Sequence, residues 1–110
     1  MHAEATRADQ TDWPQIALLY DRLQALHRSS VVALNRAVAV SMASGAEKAL
    51  PLVDELADAL GGYHLWHSTR ADLLRRLGRR EEARAAYRKA LELAQNEAER
   101  RYLARRLNEL

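Results

Sequence analysis

An internal repeat with a period of 34 residues is the feature that most constrains the fold of this 110-residue chain. Shifting the sequence against itself by that distance superposes Arg36-Ala37 and Arg70-Ala71, Val40 and Leu74, Ala49 and Ala83, and Val53 and Tyr87. Repeats of this length are pairs of helices that bury their apolar faces only by stacking on neighbouring pairs. Alanine at the equivalent positions would let paired helices approach closely, and the larger residue one turn later would fill the space between them.

The spacing of apolar residues predicts six helices and no strand, since β-branched residues are few and Ala and Leu are abundant. The predicted helices cover residues 12–28, 31–45, 46–60, 63–77, 80–94 and 96–110. We expect Asp12, Ser29 or Ser30, and Asn96 to cap helix N-termini, with Glu99 completing a capping box. Pro51 falls inside the third helix, where we expect tolerance or a slight kink.

Four helices show an apolar face at helical spacing. In the third helix this face is Leu50, Val53, Leu56 and Leu60. The other faces are Ile16, Leu19, Tyr20, Leu23 and Leu26 in the first helix; Val31, Leu34, Val38 and Met42 in the second; and Leu103, Leu107 and Leu110 in the last.

The second repeat unit is similar to the tetratricopeptide repeat, with Ala71, Gly78, Ala83, Tyr87 and Ala90 at its spacing. The predicted fold class is therefore all-α, a six-helix tetratricopeptide-repeat-like right-handed solenoid. Its first helix would be the second half of a preceding unit, and its last helix a polar cap. We expect residues 1–10 to be a tether and residues 11–110 a single domain, the C-terminal fragment of a longer chain.

Composition and spacing argue against catalysis, a metal or a cofactor. The chain has no Cys, which excludes disulfides, thiol chemistry and Cys-based metal sites. His64 and His67 share a helix face, but no third ligand is evident nearby. No phosphate-cradling glycine loop and no hydrolase arrangement of Ser, His and Asp is present. We also find no apolar run long enough to cross a membrane.

The charge is uneven, because residues 1–62 hold 5 Arg and Lys against 8 Asp and Glu, whereas residues 63–110 hold 12 against 7. Arginines crowd the last three helices, where they form either a solvated face or a contact with acidic protein or DNA phosphate. Acidic residues are interleaved with them, which favours the solvated face.

Asn35 and Arg36 of the second helix are equivalent to Thr69 and Arg70 of the fourth. First helices of such repeats line a concave groove, where Asn can pair with a peptide backbone and Arg with a carboxylate. The alternative is that Arg36 and Arg70 pair with acids inside the domain, such as Asp72, Asp54 or Glu55. The candidate partner-binding residues are Asn35, Arg36, His64, His67, Arg70 and Asp72.

Several segments resemble the C-terminal extension of extracytoplasmic-function RNA polymerase sigma factors. The most specific are Leu34-Asn35-Arg36-Ala37-Val38-Ala39, Tyr63-His64-Leu65, Arg70-Ala71-Asp72-Leu73-Leu74 and Asn96-Glu97-Ala98-Glu99-Arg100-Arg101. In that family two domains that bind promoter and polymerase precede a helical extension, and this chain has no room for them. Arg28-Ser29-Ser30 also departs from the family, which tends to carry Pro there.

The resemblance implies a cytoplasmic, non-catalytic regulatory domain of a sigma factor. Its protein partners would be the sigma core domains, RNA polymerase or a regulatory protein, and DNA would be contacted only through the missing N-terminal domains. The alternative is a free-standing peptide-binding adaptor of the same fold. Self-association through the first or last helix, giving a homodimer, is left open.

Overall fold

The computed structural model describes residues 11–27 and 29–110, so the predicted tether at residues 1–10 lies outside the described residues. Over the described ranges the chain forms helices only, and no strand. The helices are α1 Trp13–His27, α2 Ser30–Ser44, α3 Ala46–Asp54, α4 Ala57–Leu60, α5 His64–Arg76, α6 Arg80–Leu93 and α7 Glu97–Asn108. In chain order, α1 packs on α2, α2 on α3, α3 on α5, α5 on α6, and α6 on α7.

The predicted N-caps are confirmed. The Asp12 carboxylate accepts the N–H of Gln15 at 3.1 Å, and the Ser29 hydroxyl accepts that of Val32 at 3.4 Å. Asn96 Oδ1 accepts the Glu99 N–H at 2.8 Å. Each cap satisfies one of the backbone donors that a helix leaves unpaired in its first turn.

The third predicted helix is two helices, which makes seven in the described residues instead of six. Pro51 has no N–H to donate to the preceding turn, and its ring crowds the carbonyl there. The chain remains helical until Asp54, and the Leu56 N–H then bonds to Val53 O at 3.0 Å in a tighter turn. The short helix α4 follows from Ala57. Helix α3 is continuous through Pro51, so the proline is tolerated as the sequence predicts, and the break lies on its C-terminal side, where its ring and missing N–H have no effect.

Alanines at repeat-equivalent positions are buried in the core. Ala37, Ala49, Ala71 and Ala83, the two repeat-equivalent pairs, all have 0% exposed surface. Tyr87 is also fully buried, as the larger residue one turn later. The helix pairs α2–α3 and α5–α6 are thus built on the same small-residue contact, as the 34-residue period predicts.

The apolar face expected for α2 is not its buried face. Only Leu34 of that set is buried, whereas Val31, Val38 and Met42 are exposed. Small residues fill the buried side instead, because the helix needs close approach to its neighbours: these are Ala37, Ala39 and Ser41.

The two ends of the helix array differ in how well they are covered. Leu103 of α7 is fully buried, and Leu107 of α7 and Leu110 beyond its end pack against the core, as predicted for a cap. In α1 none of the described side chains is fully buried, and Leu19 is 52% exposed although it belongs to the predicted apolar face. The helix therefore presents an uncovered apolar surface, as expected for half of a repeat unit.

Gly78 ends α5 with a left-handed backbone, at φ +76°. Its N–H bonds to Arg75 O at 3.0 Å, and the Arg79 N–H bonds to Leu74 O at 2.9 Å. These two bonds satisfy carbonyls that the end of the helix would leave free, and glycine adopts the required conformation without a steric penalty.

We expect Gly78→Ala to lower the free energy of unfolding by about 1–2 kcal/mol, the cost of a left-handed conformation for an L-residue. A methyl group at Gly78 would meet no atom within 4 Å, so this loss reports backbone strain and not a clash. Urea unfolding followed by circular dichroism measures it.

Gly62→Ala is the matched control, since its methyl group also meets open space and its φ is not positive. It should leave stability unchanged or raise it slightly. Equal losses at both positions would contradict the assignment of strain to Gly78.

Candidate protein-binding groove

Helices α2 and α5 present one matching row of residues each. Both rows follow the spacing i, i+4, i+7 and i+11, which keeps side chains on one side of a helix. The rows are 34 residues apart in sequence. We call them together the groove face: Val31, Asn35, Val38 and Met42 of α2, and Leu65, Thr69, Asp72 and Arg76 of α5.

The two rows meet at an open pocket of about 300 Å³ between α2 and α5. Val38 and Met42 line it from α2, and Thr69, Asp72 and Arg76 line it from α5. The groove face is therefore a single surface at the junction of the two repeat units.

The α2 side of this surface is apolar. Val31, Val38 and Met42 are between 36% and 47% exposed, and Leu65 of α5 adds a fourth exposed apolar side chain. Exposed apolar residues that occur singly need no explanation, but a row of them beside a pocket marks an interaction surface.

The α5 side is polar and organised around Asp72. Tyr87 of α6 donates a short hydrogen bond to Asp72 Oδ1, and the Tyr102 hydroxyl of α7 lies 3.1 and 3.0 Å from its two carboxylate oxygens. Arg75 Nη2 lies 3.9 Å from Asp72, and Arg75 Nε donates to the Tyr87 hydroxyl at 3.0 Å. Asp72 thus joins three helices and fixes the far wall of the groove.

Arg76 is held across the groove. Its Nη1 donates to Ser41 Oγ at 3.2 Å, and its Nη2 donates to Ser41 O at 3.1 Å. Ser41 is itself buried, and its hydroxyl donates to Val38 O at 2.7 Å. The guanidinium of α5 is therefore tied to the backbone of α2.

Of the six candidates predicted from the sequence, Asn35 and Asp72 lie on the groove face. Arg36 and Arg70 lie beside it and turn towards α1 and α3, respectively. Arg36 Nε lies 3.2 Å from Asp21 Oδ1 of α1, but its N–H forms no hydrogen bond there. Arg70 Nε donates a hydrogen bond to Asp54 Oδ1 of α3 at 2.9 Å. Both arginines thus form the internal ion pairs that the alternative interpretation expected, one of them with an unforeseen partner.

The two histidines make internal contacts at the start of α5. His64 Nδ1 forms a short contact with the Glu99 carboxylate of α7, so this carboxylate does not return to its own helix as a capping box would require. His67 Nε2 donates to Gly61 O at 2.6 Å. Over the part of the chain that the structure describes, no group of three His, Cys, Asp or Glu could hold a metal ion.

Sequence reasoning missed Arg76, Tyr87 and Tyr102 as members of this site. The sequence did contain a signal for Arg76, because the 34-residue period makes its position equivalent to that of Met42. No sequence signal pointed to the two tyrosines, since their hydroxyls reach Asp72 from 15 and 30 residues away.

Comparison with known proteins supports the repeat. Residues 64–97, which include α5 and α6, match the family model of the tetratricopeptide repeat. The described chain is thus an all-α, tetratricopeptide-repeat-like helical fold. No solved structure matches the chain. Over the described residues, no helix has both the length and the apolar character needed to cross a bilayer.

An uncharacterized protein of Rhizobium meliloti is 48% identical over all 110 residues. The chain spans about a quarter of that relative, 26% of its length. Neither comparison links the chain to sigma factors.

Burial raises the pKa of Tyr87 above the ordinary value of 10.0; the bond to Asp72 acts in the same direction, and the bond from Arg75 opposes both. Well below pH 10 the folded and unfolded chains both keep this proton. Above it, the unfolded chain loses the proton first, so the free energy of unfolding should fall as pH rises. Urea unfolding between pH 8 and pH 11 tests this.

Tyr87→Phe should flatten this pH dependence, although it also removes the bonds of the Tyr87 hydroxyl to Asp72 and Arg75. Tyr63→Phe is the control, because no hydrogen bond of its hydroxyl is found in the described residues, and it should keep the native slope. An unchanged slope in Tyr87→Phe would show that other groups cause the loss.

Proposed function

We propose that this domain is a non-catalytic protein-interaction module that binds a segment of a partner protein on the groove face. The observation that carries the proposal is the exposed apolar row on α2. Its side chains are large and lie beside a pocket, yet apart from Leu34 the buried residues of the same helix are small. Covering the exposed part of each apolar side chain would contribute on the order of 1 kcal/mol to binding.

The tetratricopeptide-repeat match supports this proposal, because helix-pair repeats create extended binding surfaces as they stack. We assign Asn35 to direct contact with the partner backbone, since its amide can donate and accept at once. We assign Arg36, Arg70, His64 and His67 to support, because each contacts a neighbouring part of the domain.

A finer proposal is that the domain belongs to an extracytoplasmic-function sigma factor and acts in the cytoplasm, with residues 11–110 as one domain. Its partners would then be the sigma core domains, RNA polymerase or a regulatory protein. The sequence segments given above support it. A further support is that the relative carries this 110-residue region within a chain about four times as long.

We expect a benzophenone amino acid at position 38 to cross-link one partner protein in cells after illumination. The same probe at position 88 is the control, because Arg88 is exposed on α6 and is not part of the groove face. Mass spectrometry of the cross-linked peptides identifies the partner segment.

Met42→Glu should abolish the cross-link from position 38, since a carboxylate replaces an apolar contact. Met42 is 47% exposed, so this variant should keep the helical circular dichroism of the native chain. If positions 38 and 88 capture the same protein equally, or if Met42→Glu changes nothing, the groove is not the binding site.

The sigma-factor proposal is tested by promoter-specific transcription with the full-length protein that contains this domain. Deleting residues 11–110, or introducing Val38→Glu with Met42→Glu, should change transcript output severalfold. A decrease would make the domain an activating element, and an increase would make it an inhibitory one.

A full-length protein that does not bind core RNA polymerase would refute the sigma-factor proposal. Output unaltered by either change would count against it as well. Cross-linking from position 38 would still support the interaction module in both cases.

A further inference from the structure

Arg76 is the uncompensated charge of the groove face. Two arginines line the groove, and Arg75 is engaged with Asp72 and Tyr87. Among the described residues, no ion pair includes Arg76; its bonds go to the hydroxyl and carbonyl of Ser41. A positive charge therefore stands at the pocket without an internal partner.

Asp72 does not neutralise Arg76, although the two are separated by one helical turn. Its oxygens accept hydrogen bonds from Tyr87 and Tyr102, and its closest cation is Arg75. The Asp72 carboxylate is thus satisfied by groups that belong to the wall of the groove.

The guanidinium is positioned before any ligand arrives. Ser41 is 3% exposed and cannot move freely, and its two oxygens hold Nη1 and Nη2. Only one N–H of each nitrogen is used in these bonds, so the Nε–H and the remaining Nη–H groups are free to donate. A guanidinium fixed in this way loses little side-chain freedom when it binds a carboxylate.

We infer that the groove selects partner segments that carry a carboxylate side chain next to apolar side chains. The carboxylate of an Asp or Glu would pair with Arg76, and the neighbouring apolar residues would cover Val38 and Met42, which line the same pocket. This inference rests on the proposed function and adds the chemistry of the ligand.

A carboxylate fits better than a phosphate. Sites for phosphorylated peptides gather several arginines. Here Arg75 is already engaged, and the carboxylate of Asp72 lies on the same wall. A ligand group with a single negative charge matches the one uncompensated guanidinium.

The probe for the test is a phage library of random 12-residue peptides, selected on the immobilised 110-residue chain. The native chain should enrich peptides with Asp or Glu beside apolar residues. Arg76→Glu should replace this preference by one for Lys or Arg, because the reversed charge attracts the opposite side chain. Arg88→Glu is the matched control on α6 and should select the same peptides as the native chain.

The second measurement is the affinity of one enriched peptide, read by fluorescence anisotropy. Arg76→Gln should weaken binding of the acidic peptide by about tenfold, the order of effect of a charge-assisted bond. For a version of this peptide in which Asn or Gln replaces the acidic residue, Arg76→Gln should change the affinity by less than about twofold. Circular dichroism shows whether each variant keeps its helices, and the glutamine variant keeps an amide donor near Ser41 if the glutamate variant unfolds.

The outcomes separate the two proposals. If the enriched peptides lack acidic residues, or if Arg76→Glu selects the same peptides as the native chain, the inference is wrong and the groove still binds protein. If no peptide is enriched, or if Met42→Glu retains all binding, the proposed function itself fails.

Discussion

The close contact of alanines between paired helices is the constraint on which the rest of this structure depends. Ala37 and Ala49 in the first pair, and Ala71 and Ala83 in the second, are fully buried. Apart from Leu34, the buried residues of α2 are small, and three of its larger apolar residues are left on the outer side. The exposed row of Val31, Val38 and Met42 is therefore a consequence of how the helices pack.

The helices and their ends could be predicted because the signals are local. Asp12, Ser29 and Asn96 each cap within three residues of their own position, and Gly78 ends its helix through its own backbone conformation. The buried face of α2 could not be predicted in this way, since the helix is apolar on more than one side. The break after α3 was also missed, because Glu55 and Leu56 carry no glycine or proline signal for the end of a helix.

The candidate site was predictable only in part. The repeat placed Asn35 on the groove face, and Asp72 was recognised as a candidate. The partners of Asp72 were not predictable, because Tyr87 and Tyr102 come from two other helices. Similarly, the pattern at Asn96 and Glu99 indicated a capping box, yet the Glu99 carboxylate contacts His64 of another helix instead. In both cases a tertiary contact competes with the local one, and the sequence shows only the local one.

The two repeat units differ in the chemistry of their groove positions. The alanines of the helix contacts are the same in both units, whereas Val38 is replaced by Asp72 and Met42 by Arg76 at equivalent groove positions. A side chain on the groove face can thus change its chemistry without altering the contact that holds the helices together. The result is a groove with an apolar wall on one unit and a charged wall on the other, and a ligand must satisfy both walls at once. This requirement gives the groove a means of discrimination, since an apolar segment alone would leave Arg76 unpaired and an acidic segment alone would leave the α2 row uncovered.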